Sequence, residues 1–254
     1  MIKSIIVEDD PGYSKNLIQL LKKVEAPVDV LSISTNVIDA LQAIAKYHPD
    51  VVFLDIELGA EKGFDLLKQV GNIDFDVIFT TSHINKYIRE IRACAMSYLP
   101  KPYDISEIND AIKKLVDRKN GKIGLDQVKT LLANLHSDRA DDKIIWLNKD
   151  SDYFPIEVRN IIYCSSENQY TYFFIREDGK KDLKEWITTK GIGDWESDLE
   201  HFKFCRIHNR YLINLKHVVK YTRGDGGSVL LSNGESLDVS KERKNKFLKL
   251  SGMK

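Results

Sequence analysis

Three carboxylates and a lysine are the residues of this sequence whose types and positions could carry chemistry. Glu8 and Asp9 follow a short apolar segment, Asp55 follows the apolar run at residues 51–54, and Lys101 follows another apolar segment. Carboxylate oxygens are hard ligands suited to Mg²⁺, which keeps several of its waters and binds phosphate oxygens. A Mg²⁺ ion among them would neutralise the carboxylates and leave Asp55 as a nucleophile toward an activated phosphoryl group.

Two further contacts to the same phosphoryl group are suggested by the sequence. Lys101 is a compact cation that could pair with the oxygens of a phosphoryl group on Asp55. Thr81 ends another apolar run and offers a hydroxyl that would move toward these oxygens when they arrive. Taken alone, Asp55 would more often cap a turn and Lys101 would more often be a surface lysine. The residues therefore indicate a site only if the fold brings them together.

An alternation of strands and helices would bring these polar residues together. Apolar runs predict strands at residues 3–7, 28–33, 51–54, 77–80 and 97–99. Amphipathic segments predict a helix after each strand, the last at residues 105–116. Such an alternation gives an α/β doubly wound, five-stranded parallel sheet with helices on both faces. The carboxyl ends of its strands share one edge, where ligands bind, so the five polar residues named above are expected to meet there.

From Lys143 onward the pattern changes to short strands separated by turns. Strands are predicted at residues 144–147, 161–164, 170–175, 218–221, 229–231 and 237–239. Turns are predicted at residues 178–179, 224–227 and 233–234. Helices are predicted near residues 195–201 and after Ser240, which is expected to be an N-cap. This part is predicted to be a small, mostly β domain, and its sequence contains no pattern typical of a catalytic or metal site.

The last quarter of the chain is basic, although the whole chain is balanced, with 38 lysine and arginine residues and 38 acidic residues. Residues 201–254 contain twelve basic and four acidic side chains, a net charge of +8. A solvated lysine-rich surface would give the same count, but the asymmetry also fits an anionic partner. Polar and basic residues cluster near Tyr170 and at residues 206–210 and 241–244. Such side chains can neutralise phosphates and bind base edges in a major groove.

The segment between the two parts leaves two alternatives open. Its apolar residues fall on one helical face: Leu125, Val128, Leu131, Leu132 and Leu135. They would suit a short surface helix that packs on either domain. They would equally suit a continuation of the preceding helix that carries a dimer contact.

Cysteine usage and hydropathy indicate the compartment. Cys94, Cys164 and Cys205 are odd in number, far apart and without metal-ligand spacing, which favours buried thiols in a reducing compartment. No apolar run approaches the length of a membrane-spanning helix, and the sequence shows no signal peptide. We therefore expect a cytoplasmic protein that does not associate with a membrane.

Residues 1–120 resemble the receiver domain of bacterial two-component response regulators, whose fold is flavodoxin-like. Four motifs carry the resemblance in order: Val-Glu-Asp-Asp at residues 7–10, Leu-Asp-Ile-Glu at 54–57, Thr-Ser at 81–82 and Tyr-Leu-Pro-Lys-Pro at 98–102. The resemblance implies that a sensor histidine kinase phosphorylates Asp55. It also implies a Mg²⁺ site formed by Glu8, Asp9, Asp55 and the carbonyl group of Glu57.

The same resemblance assigns switch roles and exposes two departures. It implies that Thr81 and Tyr98 change position together on phosphorylation and that Lys101 contacts the phosphoryl group. Gly59 stands where the family usually has proline, which predicts a looser loop after Asp55. Pro100 adds a second proline beside Lys101 and makes the loop after the fifth strand harder to predict. The Lys101–Pro102 peptide bond is a candidate for the cis form.

Residues 143–254 resemble the LytTR-type DNA-binding domain. The matching segments are residues 161–164, 168–172, 204–209, 211–214, 223–227 and 239–241. The resemblance implies an elongated β domain whose loops enter successive major grooves of double-stranded DNA. The residues that it implies as DNA-contacting are Tyr170, Asn209, Arg210, Lys241 and Arg243. His208 and Asn214 are expected to be structural.

Together these observations predict a receiver domain at residues 1–120, a linker with helical potential at 121–142 and a DNA-binding domain at 143–254. The predicted protein is a transcription regulator and not an enzyme. Phosphorylation of Asp55 would favour a homodimer that binds repeated promoter sites. The alternative is a receiver that controls a protein-binding β domain and does not bind DNA.

Overall fold

The structure, a computed structural model, describes residues 1–71, 73–82, 84–117, 125–137, 139, 142–149, 152–177 and 183–253. The chain divides into two units, Met1–Leu135 and His136–Lys254. The predicted turn at residues 178–179 lies outside the described residues. None of the helices in the described ranges combines the length and apolar composition needed to cross a membrane.

The first unit is built on a five-stranded parallel sheet. Its strands and one short hairpin are, in chain order, β1 (Ile2–Val7), β2 (Val28–Ser34), β3 (Val51–Asp55), the hairpin strands β4 (Glu57–Leu58) and β5 (Glu61–Lys62), β6 (Asp76–Thr81) and β7 (Ser97–Pro100). Its first five helices are α1 (Pro11–Leu21), α2 (Val37–Tyr47), α3 (Gly63–Gln69), α4 (Ile84–Ala93) and α5 (Ile105–Asp117). The strand order β2-β1-β3-β6-β7 confirms the predicted doubly wound sheet.

Burial explains why the apolar runs form the central strands. All five residues of β3 are buried, because helices cover both faces of a sheet of this kind. On one face, Phe53 packs in a core with Leu17 of α1 and Ile112 of α5. The same chain direction in every strand places the residues that follow β1, β3 and β7 at one edge of the sheet.

The segment after Asp55 is a paired hairpin and not the looser loop that Gly59 predicts. Glu57 pairs with Lys62 across it, and Gly59 has a φ of +58°, which glycine adopts without steric cost. The hairpin leads into α3 at Gly63. A Cβ atom at Gly63 would lie 2.0 Å from the carbonyl oxygen of Asp55, so α3 can start this close to β3 only with glycine there.

Helix α6 (Leu125–His136) follows in the linker segment. It packs on the first unit, where Val128 and Leu131 are buried. The side-chain amide of Gln127 donates a 2.9 Å hydrogen bond to the backbone carbonyl of Cys94, just after α4. This arrangement matches the alternative of a packing helix, and residues 118–124 lie outside the described ranges.

The second unit is mostly β, as the sequence predicts. Its strands are β8 (Ile144–Lys149), β9 (Asp152–Glu157), β10 (Ile161–Glu167), β11 (Tyr170–Arg176), β12 (Leu183–Thr188), β13 (Phe204–Arg206), β14 (Tyr211–Asn214), β15 (Val218–Thr222), β16 (Ser228–Leu231) and β17 (Ser236–Asp238). They form an antiparallel sheet of order β12-β11-β10-β14-β13, a second sheet of order β15-β16-β17 and the hairpin β8-β9.

Two helices, α7 (Ile192–Leu199) and α8 (Lys241–Ser251), pack on these sheets. Phe247 anchors α8 in a core with Ile162 of β10 and Val229 of β16, and it is fully buried. Ser240 precedes α8 as predicted, but its side chain makes no capping hydrogen bond. A Cβ atom at Gly226 would lie 1.8 Å from the carbonyl oxygen of Val239, so the glycine-rich turn lies directly against the segment before α8.

Candidate functional site

The predicted acidic residues meet at the carboxyl edge of the parallel sheet. Strands β1 and β3 are neighbours, with Val7 paired to Leu54, so Glu8 and Asp55 leave the sheet side by side. The carboxylate oxygens of Glu8, Asp9 and Asp55 lie within 4.8 Å of one another. Glu8 and Asp55 are buried, whereas Asp9 is exposed. The next residue, Asp10, is the N-cap of α1 and accepts hydrogen bonds from backbone N–H groups of that helix.

Lys101 joins this cluster from β7. Its ammonium nitrogen lies 2.6 Å from Oδ2 of Asp55 and 2.6 Å from Oε2 of Glu8. The backbone N–H of Lys101 donates to the carbonyl of Thr81 at 2.9 Å, which fixes the lysine beside the end of β6. The Lys101–Pro102 peptide bond is cis, as expected.

Burial dominates the electrostatics of the cluster. Desolvation raises the pKa of Glu8 to about 7, although the hydrogen bond from Lys101 opposes this rise. Burial alone would lower the pKa of Lys101, but the hydrogen bonds to Asp55 and Glu8 outweigh it and raise the pKa. Burial and the charge of Glu8 also raise the pKa of Tyr103, whose hydroxyl lies 3.4 Å from Oε2 of Glu8. Lys101 and Tyr103 therefore remain protonated at neutral pH.

The donor set fits a divalent cation. Three carboxylates carry more negative charge than one lysine neutralises, and two of them are buried, where uncompensated charge is costly. Carboxylate oxygens are hard donors of the kind that Mg²⁺ prefers, and the ion keeps several waters beside them. Glu57 follows Asp55 closely: its backbone N–H donates to Oδ1 of Asp55 at 3.1 Å. Its own carboxylate pairs with Lys62 at 3.1 Å.

The two predicted switch residues occupy different environments. Thr81 is fully buried at the end of β6. Tyr98 on β7 is half-buried, and its hydroxyl accepts a hydrogen bond from the guanidinium of Arg92, an exposed residue of α4. The Arg92 guanidinium carbon also lies 5.2 Å from the centre of the Tyr98 ring. Tyr98 is thus held against α4.

Three segments of the second unit meet at one end of its larger sheet. They are the β10–β11 turn, the loop at residues 207–210, hereafter the 207–210 loop, and the start of α8. The backbone N–H of Ser166 donates to the carbonyl of Arg210 at 2.9 Å, which joins the turn to the loop. The backbone N–H of Ser240 donates to the carbonyl of Ile207 at 2.8 Å, which joins the loop to α8.

All five predicted DNA-contacting residues lie on these segments. Asn209, Arg210 and Lys241 are exposed, while Tyr170 and Arg243 are partly exposed. Lys241 forms an exposed ion pair with Asp225, and Arg243 lies 3.4 Å from Glu196 of α7.

The two residues expected to be structural behave differently from these five. Asn214 is buried and donates to the carbonyls of Val158 and Ile161 at 3.3 and 3.0 Å. His208 is partly exposed, and its Nδ1 accepts the backbone N–H of Arg210 at 3.3 Å. Both side chains therefore form hydrogen bonds with backbone groups of the second unit.

Sequence reasoning placed Arg206 in a basic cluster without predicting its contacts, and it missed Glu196. Arg206 donates to backbone carbonyls of the 207–210 loop and to Glu196. Arg206 lies inside a segment that carried the resemblance, but its contacts run from side chain to backbone. Glu196 lies 10 residues away along the chain. Neither contact leaves a periodic signal in the sequence.

Comparisons with known proteins match each unit separately. Residues 5–113 match the family described as the response regulator receiver domain. Residues 151–252 match the family described as the LytTr DNA-binding domain. Together the two matches extend over most of both units.

Full-length relatives match both units at once. The sensory transduction protein LytR of Staphylococcus haemolyticus is 24% identical over 248 residues, 94% of this chain and 95% of that protein. The transcriptional regulatory protein BtsR of Escherichia coli K12 is 26% identical over 247 residues, 95% of each chain. The sensory transduction protein LytT of Bacillus subtilis is 23% identical over 258 residues, 98% of this chain and 99% of that protein.

Proposed function

Since this chain belongs to the two-component response regulators that join a receiver domain to a LytTr DNA-binding domain, we propose that phosphorylation of Asp55 controls its binding to promoter DNA. Members of this group are regulators and not enzymes. The phosphoryl donor is a sensor histidine kinase. The observation that carries the proposal is the cluster of Glu8, Asp9 and Asp55 with Lys101 at one sheet edge.

At this cluster the chain supplies both the nucleophile and its orientation. The Glu57 N–H and the Lys101 ammonium hold the two oxygens of Asp55, which aims the carboxylate at an incoming phosphorus. An oxygen of Asp55 attacks the phosphorus, the bond from phosphorus to the histidine nitrogen of the kinase breaks, and the imidazole keeps the released electron pair. Lys101 then pairs with a phosphoryl oxygen. Glu8, Asp9, Asp55 and the carbonyl of Glu57 would hold Mg²⁺, which would supply charge neutralisation of the phosphoryl oxygens.

The response to phosphorylation involves the α4–β7–α5 surface. Thr81 moves its hydroxyl toward the phosphoryl group. The side chain of Tyr98 then moves in the same direction and loses its hydrogen bond with Arg92. This change favours a homodimer through the α4–β7–α5 surface. The dimer brings two DNA-binding domains onto a repeated site and gains affinity by effective concentration. Phosphorylation shifts a population, so a minor fraction of unphosphorylated dimer is expected.

The DNA contacts lie on the exposed end of the second unit. Tyr170, Asn209 and Lys241 face the major groove, with Arg210 and Arg243 beside them for bases or phosphates. Their exposure and the net charge of +8 over residues 201–254 support this assignment. We place the protein in the cytoplasm with its DNA, which agrees with three buried free cysteines.

The test is selection of DNA from random duplexes by the purified full chain, with and without a small phosphoryl donor and Mg²⁺. We expect one repeated motif, enriched more strongly with the donor, and no such enhancement in Asp55→Ala. Binding should weaken steeply with salt and be lost when Asn209→Ala and Lys241→Ala are combined. If no sequence is enriched in either state, DNA recognition is wrong and a protein partner of the β domain becomes the better explanation.

A further inference from the structure

Arg206 is a partly buried cation that faces the interior of the DNA-contacting end and not the solvent. Its side chain is 11% exposed. Its Nε donates to the carbonyl of His208 at 2.9 Å, and its Nη2 donates to the carbonyl of Asn209. One planar guanidinium therefore holds two successive carbonyls of the 207–210 loop. This is a geometry that the point charge of lysine cannot reproduce.

Glu196 extends this contact to α8. Its carboxylate accepts from Nη1 of Arg206 at 3.3 Å, from Nη1 of Arg243 at 3.4 Å and from Nζ of Lys246 at 3.2 Å. Arg206 reaches the loop that carries Asn209, and Arg243 belongs to the helix that begins with Lys241. The Glu196 carboxylate, 22% exposed, is thus a side-chain link between two segments that approach DNA, in addition to the backbone hydrogen bond from Ser240 to Ile207.

A carboxylate is an unfavourable group beside a polyanion, because it repels phosphates and cancels charge that would otherwise attract them. A surface that served charge attraction alone would gain from its removal. The contacts of Glu196 instead fix the direction of two arginines and hence the spacing of the loop and the helix. Base-edge recognition depends on such spacing, whereas attraction to the phosphate backbone does not.

We propose that Arg206 and Glu196 are positioning residues that hold the 207–210 loop and the start of α8 in the arrangement that discriminates between DNA sequences. Neither residue contacts DNA itself. The inference rests on the proposed DNA binding and adds to it a pair of residues that determine specificity.

The experiment measures two quantities on the full chain: the ratio of dissociation constants for random and selected duplex, and the slope of log affinity against log salt. Arg206→Lys keeps the charge and loses the planar fork, and we expect the ratio to fall tenfold or more with an unchanged slope. Glu196→Gln should lower the ratio similarly while tightening binding to random duplex. Arg206→Met should also leave the slope unchanged, since no phosphate contact is lost.

Glu200→Gln is the matched control. Glu200 pairs with the same Lys246 at 2.9 Å, and this substitution removes the same charge as Glu196→Gln. It should tighten binding to both duplexes and leave their ratio unchanged. Thermal unfolding of each variant reports its folded fraction. A residue that only stabilised the fold would reduce the active fraction and weaken both affinities by one factor, so the ratio would not change.

Three results would overturn the inference. A slope reduced by about 0.9 in Arg206→Met would make Arg206 a phosphate contact. An unchanged ratio in both Arg206→Lys and Glu196→Gln would show that the pair does not set discrimination, while the wild-type ratio would still support DNA recognition. A wild-type ratio of one would instead reject the proposed function, and the inference with it.

Discussion

The ammonium of Lys101 lies at the same distance, 2.6 Å, from an oxygen of Asp55 and from an oxygen of Glu8. All three side chains are almost completely buried. One cation therefore holds two carboxylates that come from different strands and would otherwise repel each other.

Replacing Lys101 with methionine should destabilise the first unit. Removal of one partner of a buried ion pair leaves uncompensated charge and costs about 3–5 kcal/mol. Urea unfolding followed by circular dichroism measures the loss, and Mg²⁺ should recover more stability in the variant than in the wild type. The control is Lys62→Met, which removes a partly exposed pair with Glu57 and should cost less than about 1 kcal/mol. Equal losses in the two variants would contradict the prediction.

Removing the contact between Arg92 and Tyr98 should raise the fraction of dimer without phosphorylation. The hydrogen bond from Arg92 holds the Tyr98 hydroxyl against α4, so its loss favours departure of the tyrosine. Arg92→Ala and Tyr98→Phe should each increase the dimer several-fold in sedimentation experiments without a phosphoryl donor. Both changes remove the same hydrogen bond, and Arg92→Ala also removes the contact of the guanidinium with the Tyr98 ring, so the double variant should resemble Arg92→Ala and its effect should be smaller than the sum of the two single effects. An additive effect would show that the two residues act separately.

Truncation of a buried residue of α6 should weaken the first unit alone. Leu131 is fully buried, and Leu131→Ala should cost about 2–5 kcal/mol. The three tryptophans, Trp146, Trp186 and Trp195, belong to the second unit, so the fluorescence transition should stay in place while the circular dichroism transition of the first unit moves. Ile38→Ala changes an exposed residue of α2 and should have little effect. A shift of the fluorescence transition would mean that α6 supports the second unit.

The second unit should lose stability as the pH falls below about 6.5. Burial, opposed only partly by the hydrogen bond to the carbonyl of Arg159, lowers the pKa of His217 from its usual value of 6.5. The unfolded chain therefore takes up a proton at a pH where the folded chain does not. Stability from this residue is complete above the unfolded pKa and declines as the pH falls toward the folded value. Unfolding of the second unit can be followed by tryptophan fluorescence between pH 5 and 8. As the pH falls, its free energy of unfolding should decline less in His217→Gln than in the wild type.

Sequence alone predicts the first unit well, because one physical signal dominates there. Strands buried on both faces must be almost continuously apolar, so the central strands β1, β3 and β6 and the polar residues at their ends stand out, whereas the edge strands β2 and β7 are partly exposed. The convergence of Asp55, Lys101 and Glu8 follows from strand direction. The hairpin after Asp55 does not follow, since two residue pairs carry too little pattern to distinguish it from a loop.

The second unit is harder to predict because its strands are short and partly exposed. The predicted strands do not include β9, which contains Pro155 and exposed aromatic residues, or β12, where Lys184 and Glu185 interrupt the apolar residues. They also omit the short strands β13 and β14. Helix α7 begins at Ile192, three residues before its predicted start. Contacts such as that of Arg206 with loop carbonyls depend on a tertiary arrangement that local pattern does not encode.

The close approach of α3 to β3 has a consequence for the history of this gene. The space that a side chain at position 63 would fill already holds the carbonyl oxygen of Asp55, so any residue other than glycine there would displace the backbone of Asp55. At Gly71, by contrast, a Cβ atom would meet nothing within 4 Å. Among related sequences with this fold, substitutions are therefore expected to accumulate at position 71, while position 63 is expected to remain glycine.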